Sequence, residues 1–318
     1  MEKQKISWSL PVLGKLLKDS FHRLQQNDPL RMAGATAFFT SFALPPIMVL
    51  LFQFFSIFFS KKLVGAELRN VLTASLGKEN AEQLRITARG LRNLAQNWYM
   101  VVIGILFLIF VATTLFKVIR NTLNDIWNIR PERSGFLYDL TVRGRSLIII
   151  LAAAILFITG ETIAIAREVA GKYFESFWPQ GGEFVTGLMK ELIGMLTIIL
   201  WFIVLFRFLA NARPSWRVAT VGGILTGVLF YFGKSFLSYM MRNSNAGIVY
   251  GAGAALVLIL LFMFYSSFIL YFGASFIKEY SLLTNDPIVP SHKAYEYELQ
   301  KVVEEEGKRQ TANGKQGS

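Results

Sequence analysis

The chain has 318 residues, of which 53% are hydrophobic and only 17% are charged, and its mean hydropathy is +0.43. So apolar a composition is typical of a protein embedded in a lipid bilayer. Cysteine is absent, which excludes disulfides, thiolate metal sites and cysteine nucleophiles, and the formal net charge of +12 fits basic loops beside a membrane.

The N-terminal segment, residues 1–32, is predicted to be cytoplasmic, because it carries lysines and arginines around short apolar patches and no signal-peptide core. Apolar runs of about 20 residues or more follow it, each long enough to cross a hydrocarbon core of about 30 Å. They lie at about residues 33–60, 97–119, 146–168, 185–210, 218–241 and 249–278. The sequence therefore predicts an all-α, polytopic membrane protein with a six-helix transmembrane domain at residues 33–280.

The topology of this domain follows from its charges. Lysine and arginine are more numerous on the side that holds both termini, so the positive-inside rule predicts that the N- and C-termini are cytoplasmic. The connection at about residues 61–96 is predicted to be a helical outer loop, because its apolar residues recur at three- and four-residue intervals. Residues 281–318 are predicted to form a charged cytoplasmic tail with a disordered end.

Prolines and paired glycines inside the spans predict a kinked helix and close helix contacts. Adjacent prolines remove two backbone donors from the first span, and glycines four residues apart lie on one helix face, where they permit close approach; gating is the alternative role for the glycines. These residues are Pro45 and Pro46, Gly223 and Gly227, and Gly247 and Gly251.

Charged and polar residues near the outer ends of the third, fourth and fifth spans form a candidate outer polar cavity. A charged side chain deep in a spanning helix costs about 2.5 to 3.5 kcal/mol on insertion scales, so such residues often have a function. Two interpretations stay open: the residues line a cavity that attracts an anionic head group, or they reach water by snorkelling. The set is Glu161, Lys190, Glu191, Lys234, Arg242 and Asn243.

Four motifs stand in order along about residues 20–280. They are Asp28 to Ser41 followed by Pro45-Pro46, then Leu123 to Arg130, then Asn211 to Trp216, and finally Ile248 to Ala254. Together they resemble the YihY/BrkB family of bacterial inner-membrane proteins. The resemblance implies six spanning helices and a multi-pass location in the bacterial cytoplasmic (inner) membrane. Labels used for that family include virulence factor and, historically, ribonuclease BN, and the resemblance brings no catalytic residues.

Residues of these motifs, with Arg207, are expected to gather on the cytoplasmic side as a candidate cytoplasmic face. The set is Asp28, Arg31, Asn124, Trp127, Arg130, Arg207, Asn211 and Arg213.

The sequence favours a non-enzymatic protein that binds or translocates an amphipathic or anionic envelope molecule, such as a lipid. The alternative is a membrane scaffold or envelope-integrity protein that acts through cytoplasmic partners. A ribonuclease is a distant alternative, because the two histidines, His22 and His292, lie far apart in sequence and outside any metal-binding motif. We expect membrane lipids as partners, and no cofactor, metal or nucleic acid; the sequence leaves the oligomeric state open.

Overall fold

A computed structural model describes residues 9–58, 98–132, 159, 179–243, 254–291 and 294–298. These ranges contain helices α1 (Leu10–Gln25), α2 (Pro29–Phe58), α3 (Trp98–Ile126), α4 (Pro179–Phe208), α5 (Trp216–Asn243) and α6 (Ala254–Leu283). They also contain strands β1 (Ile129–Pro131), β2 (Ala212–Arg213), β3 (Val289–Pro290) and β4 (Ala294–Glu296).

Several predictions fall on residues that the structure does not describe. The third predicted span (apart from residue 159), the predicted outer loop and the end of the tail lie outside the described residues, as do Glu161, Gly247 and Gly251. The side chains of Lys190, Arg242, Asn243 and Pro45 also lie outside them.

Four of the described helices are long and apolar enough to cross a membrane. These segments are Val102–Ile126 in α3, Gly187–Phe208 in α4, Trp216–Tyr239 in α5 and Val257–Leu283 in α6. Helix α2 contains the first predicted span, but its side chains beyond residue 47 are not described. The prediction of a mostly helical membrane protein is confirmed, whereas the count of six spans and the side on which the termini lie stay predictions.

Helix α1 is a short amphipathic helix that precedes the first predicted span. Leu16, Ser20 and Leu24, spaced four residues apart, are buried on one face. This face packs against α6, where Arg23 also forms an ion pair with Glu279. The helix is therefore fixed to the end of the bundle.

Helix α6 is the centre of the described fold, because it packs against α1, α2, α3 and α5, while α4 packs against α5. Its second half is buried almost all round, including Tyr271, Ala274, Ile277 and Tyr280. The C-terminal ends of α3, α4 and α6 and the N-terminal ends of α2 and α5 lie at the same end of the bundle. The largest buried side chains also lie at this end.

The connections at this end are joined by two antiparallel ladders. Strand β1 pairs with β4, with Ile129 opposite Glu296, and β2 pairs with β3, with Ala212 opposite Pro290. We call residues 127–131, 209–215, 284–291 and 294–298 together the collar. These ladders were not predicted from the sequence, because strands of two or three residues have no detectable period.

Glycines on two faces let α5 pack closely between α4 and α6. A Cβ on Gly223 would lie 3.0 Å from the backbone nitrogen of Ile203 in α4, and one on Gly227 would lie 2.9 Å from the Cα of Ile199. On the other face, Gly222 lies against the side chain of Ile277 in α6. A side chain at Gly223 or Gly227 would meet the backbone of α4 and force α4 and α5 apart, whereas one at Gly222 would displace the side chain of Ile277.

Helix α2 continues through Pro45 and Pro46 to its end at Phe58. The hydroxyls of Thr40 and Ser41 donate to the carbonyl oxygens of Thr36 and Ala37, one turn earlier. They therefore do not bond to the carbonyls that the prolines leave without a helical donor. The size of the bend at this position stays a prediction.

Candidate functional site

The candidate cytoplasmic face divides into buried and exposed residues. Asn124 is buried at the end of α3, and its Oδ1 accepts a hydrogen bond of 2.9 Å from the backbone N–H of Asn211. Trp127 is fully buried and donates through Nε1 to the carbonyl oxygen of Ala274, also at 2.9 Å. These three predicted residues, Asn124, Trp127 and Asn211, join α3, the α4–α5 turn and α6, so they are inaccessible to a partner.

The exposed residues of this face surround the start of α2 and strand β1. Arg31 forms an exposed ion pair of 3.3 Å with Asp28, which contributes little to stability. The guanidinium of Arg130 lies 4.8 Å from the centre of the Tyr297 ring, and both Arg130 and Arg31 act electrostatically on Asp125. Residues from α2, β1 and the tail therefore meet at one surface.

Next to the collar, α6 carries a buried charge that was not among the predicted site residues. Lys278 of α6 is only 5% exposed and forms an ion pair with Glu296 of β4. The backbone N–H of Tyr297 donates to the carbonyl oxygen of Asn128 at 2.9 Å. A lysine at the end of an apolar run is the sequence signal that marks this position, whereas nothing in the sequence of the tail identifies Glu296 as its partner.

A cavity of about 480 Å³ lies between the α4–α5 turn and the segment that follows α6. It is lined by Arg207, Arg213, Ser215, Asp286, Pro287, Val289, Pro290 and Ser291. We call it the collar cavity. Two of the residues predicted for the cytoplasmic face, Arg207 and Arg213, thus line one cavity.

Arg207 lies in the last turn of α4 and is held by the start of α5. Its Nη1 donates to the carbonyl oxygen of Pro214, and its guanidinium lies 5.3 Å from the centre of the Trp216 ring. Its Nε is buried and has no hydrogen-bond partner within the part of the chain that the structure describes. Leaving such a donor unpaired costs about 1 to 3 kcal/mol, and more on a charged group.

Ser215 and Asp286 also line the collar cavity. Ser215 is the N-cap of α5, because its Oγ accepts a hydrogen bond of 3.3 Å from the backbone N–H of Val218. The same hydroxyl donates to Oδ2 of Asp286 at 2.6 Å. The carboxylate is thereby held beside the positive end of the α5 dipole.

Two residues of the candidate outer cavity, Glu191 and Lys234, are described with their side chains, and both lie in the half of their helix that is farther from the collar. Tyr231 of α5 donates from its hydroxyl to the exposed carboxylate of Glu191 in α4. Lys234, one turn further along α5, is exposed. Neither Lys234 nor Glu191 forms an ion pair with another described residue. The contact of Tyr231 with Glu191 extends the antiparallel packing that begins at Gly223 and Gly227.

No group of three histidine or carboxylate side chains close enough to hold a metal ion occurs among the described residues.

Comparisons with known proteins give one consistent result over most of the chain. The family model described as Virulence factor BrkB matches residues 20–295. A UPF0761 membrane protein of Teredinibacter turnerae is 24% identical over 274 residues, which cover 84% of this chain and 60% of that protein. Another from Mannheimia succiniciproducens is 27% identical over 265 residues, which cover 82% of this chain and 88% of that protein.

A third relative is longer than the matched region. The UPF0761 membrane protein of Pseudomonas aeruginosa is 26% identical over 257 residues, which cover 80% of this chain and 59% of that protein. This chain thus spans about three fifths of the length of the Teredinibacter and Pseudomonas relatives. No solved structure matches the chain significantly.

Proposed function

The chain belongs to the Virulence factor BrkB family and is a multi-pass inner-membrane protein, and from this premise we propose that it binds an amphipathic, anionic molecule such as a phospholipid. In this proposal the protein is non-enzymatic, and the head group of the molecule binds at the polar residues of α4 and α5 that include Lys234. The collar end of the bundle faces the cytoplasm.

The position of Lys234 is the observation that supports this proposal. At about 1.5 Å per residue, Lys234 lies about 14 Å along α5 from its last residue, Asn243. Its neighbours Phe232 and Phe236 are exposed, as expected for a surface that contacts lipid. An exposed ammonium group among exposed apolar residues of a membrane-spanning helix needs an anionic partner or access to water.

The charge balance at this end favours an external anion. The carboxylate of Glu191 is engaged by the hydroxyl of Tyr231, which leaves the positive charge of Lys234 without a described protein counter-ion. The remaining predicted members of the cavity add one carboxylate and two cations. These are Glu161, Lys190, Arg242 and Asn243, the last of which contributes an amide. Their sum is positive, and a positive cavity attracts a phosphate head group.

The experiment is mass spectrometry of the lipids retained by the gently purified protein. We compare wild type with the Lys234→Met variant, which removes the positive charge but keeps an unbranched side chain of similar length. Lys18→Met is the matched control, because Lys18 is an exposed lysine of α1 outside the spans. We expect one anionic lipid class to be enriched in wild type and in the control, and to be lost from Lys234→Met.

A lipid profile equal to that of the bulk membrane in all three proteins would contradict the proposal. Equal losses in Lys234→Met and Lys18→Met would contradict it too, because the effect would then come from net charge rather than from the site.

A scaffold that binds cytoplasmic partners is the second candidate function. It is favoured by the exposed stacking of Arg130 on Tyr297, which the β1–β4 ladder holds in place. An Arg130→Ala variant that loses crosslinks to a partner, while an exposed control such as Arg217→Ala keeps them, would support this function. Crosslinks that are equal in both variants would contradict it.

A further inference from the structure

The collar cavity combines features that suit a small anion and that the proposed lipid site does not use. Its volume of about 480 Å³ falls within the range of small-molecule sites, roughly 300 to 1,000 Å³. It is built from three separate segments, namely the end of α4, the turn into α5 and the residues after α6, and the β2–β3 ladder fixes two of them together. The cavity is thus part of the folded collar.

The charges that line the collar cavity sum to a positive value. Arg207 and Arg213 supply two guanidinium groups, and neither forms an ion pair with a described carboxylate. Asp286 supplies one negative charge, but this carboxylate accepts from Ser215 at the start of α5. Because this carboxylate lies beside the N-terminus of α5, its negative charge compensates the positive end of the helix dipole as well as the positive charge of the arginines. An anion can therefore enter without displacing an existing arginine–carboxylate pair.

Arg207 provides the second, independent feature. Only its Nη1 has an acceptor in the described part of the chain, the carbonyl oxygen of Pro214, and the buried Nε has none. Buried donors on charged groups are almost always paired, so the acceptor for Nε is expected to come from outside the described residues, and an anion bound in the collar cavity would supply it. The planar guanidinium binds two oxygens of a phosphate through adjacent N–H groups, which a lysine cannot do.

We propose that the collar cavity binds a phosphate group, held by the guanidinium groups of Arg207 and Arg213. The phosphate belongs either to a lipid head group at the membrane surface or to a soluble phosphate compound. Trp216 stacks on Arg207 and is exposed, and tryptophan is enriched at the level of lipid head groups. This site is distinct from the one around Lys234 and does not depend on it.

The test uses the full chain purified in dodecyl maltoside, a detergent without phosphate. In one arm, inorganic phosphate is titrated at constant ionic strength against chloride. In the other arm, phosphatidic acid is added to the micelles in phosphate-free buffer. The apparent melting temperature is measured in both arms. We expect wild type to be stabilised in a saturable manner, and stabilisation in the lipid arm alone would identify the head group as the source.

Arg213→Gln is the main variant, because the Arg213 side chain is exposed and we expect the fold to tolerate its loss. We expect it to raise the half-saturating concentration by about tenfold, as for the loss of one charge-assisted hydrogen-bonding group. Arg207→Lys keeps the charge but loses the planar fork, and we expect a similar change. Arg217→Gln, an exposed arginine of α5 that does not line the cavity, is the control.

Two results would overturn the proposal. One is that wild type is stabilised no more by phosphate or phosphatidic acid than by chloride. The other is that Arg213→Gln and Arg217→Gln weaken the stabilisation equally. Either result leaves the lipid site at Lys234 untouched, because that site is tested with a different variant and a different measurement.

Discussion

Three residues with a left-handed backbone direct the chain through the turns at the collar end. Asp28, Asn128 and Asn285 have φ values of 50°, 57° and 53°, and each follows a helix. Asparagine and aspartate tolerate this conformation better than other non-glycine residues, since their short polar side chains bond locally. The motifs that mark this family in the sequence thus include turn residues whose role is conformational.

Asn128 offers a direct test of this role. We expect Asn128→Val to lower the free energy of unfolding by about 1 to 2 kcal/mol, because a β-branched side chain is strained at a positive φ. Asn128→Gly should be tolerated, since glycine adopts this conformation without strain. Thermal unfolding of the purified variants measures the difference. Equal losses for valine and glycine would instead assign the effect to the Asn128 side chain.

Ser215 is the second residue whose effect follows from local contacts. Ser215→Ala removes the N-cap of α5 and the hydrogen bond to Asp286, so we expect a loss of about 1 kcal/mol in the free energy of unfolding. Ser235→Ala, an exposed position in the interior of α5, is the matched control and should change little. Denaturation in a mixed detergent and SDS series gives both values, and a neutral Ser215→Ala would mean that water replaces the cap.

At the scale of helices, α5 is fixed between two neighbours by glycines on two of its faces. Gly223 and Gly227 contact α4, whereas Gly222 contacts α6, so a shift of α5 toward either neighbour is blocked by backbone or by a buried isoleucine. The packing of α4, α5 and α6 is therefore set by backbone approach as well as by side-chain volume.

We expect Gly227→Ala to destabilise the protein by about 1 to 3 kcal/mol, because the added methyl group overlaps the backbone of Ile199. Gly194→Ala is the control: it is the same substitution in a neighbouring helix, at a glycine with open space around its Cα. It should be neutral or stabilising, because alanine favours the helix. The melting temperatures of the two variants in one detergent test this difference. A destabilising Gly194→Ala would instead indicate that the protein is sensitive to the loss of any helical glycine.

The long apolar helices could be predicted from the sequence, whereas helix α1 and the collar were not predicted. An apolar run as long as the one in α3 indicates a membrane-spanning helix, and the spacing of Gly223 and Gly227 indicates one helix face that permits close packing. The β1–β4 ladder, in contrast, joins residues 129–131 to residues 294–296, and neither segment has a pattern of its own. The pairing of Lys278 with Glu296 and the collar cavity depend on that long-range contact, so the sequence alone did not reveal them.

The candidate functional residues, too, could be predicted from the sequence only in part. Asn124 and Trp127 lie at the same end of the bundle as the other residues predicted for the cytoplasmic face, but their burial makes them structural links. A buried asparagine and an exposed one look alike in a sequence, since burial is set by the elements that pack over the residue. Arg207 and Arg213 could be placed near each other from the short turn between α4 and α5, whereas the contribution of Asp286 could not.

At the scale of the whole molecule, the described residues are distributed asymmetrically along the helix axes. The collar end carries the buried core and the two ladders, while the opposite half of α3 exposes Val102, Ile103, Leu106 and Phe110. In water such a surface would aggregate, but in a bilayer it contacts lipid. The collar end therefore holds the largest fully buried side chains of the described residues, whereas the far half of α3 presents apolar side chains that suit contact with hydrocarbon.

This asymmetry makes the orientation of the chain in the membrane the central prediction, and the absence of cysteine makes it simple to test. Lys18 lies in α1 at the collar end, and Ser75 belongs to the predicted outer loop. Because positive charges favour the cytoplasmic side, we expect a membrane-impermeant maleimide to label Ser75→Cys in intact spheroplasts, and Lys18→Cys only after the membrane is permeabilised. The reverse pattern would place the collar cavity outside the cell, where an intracellular phosphate compound could not reach it.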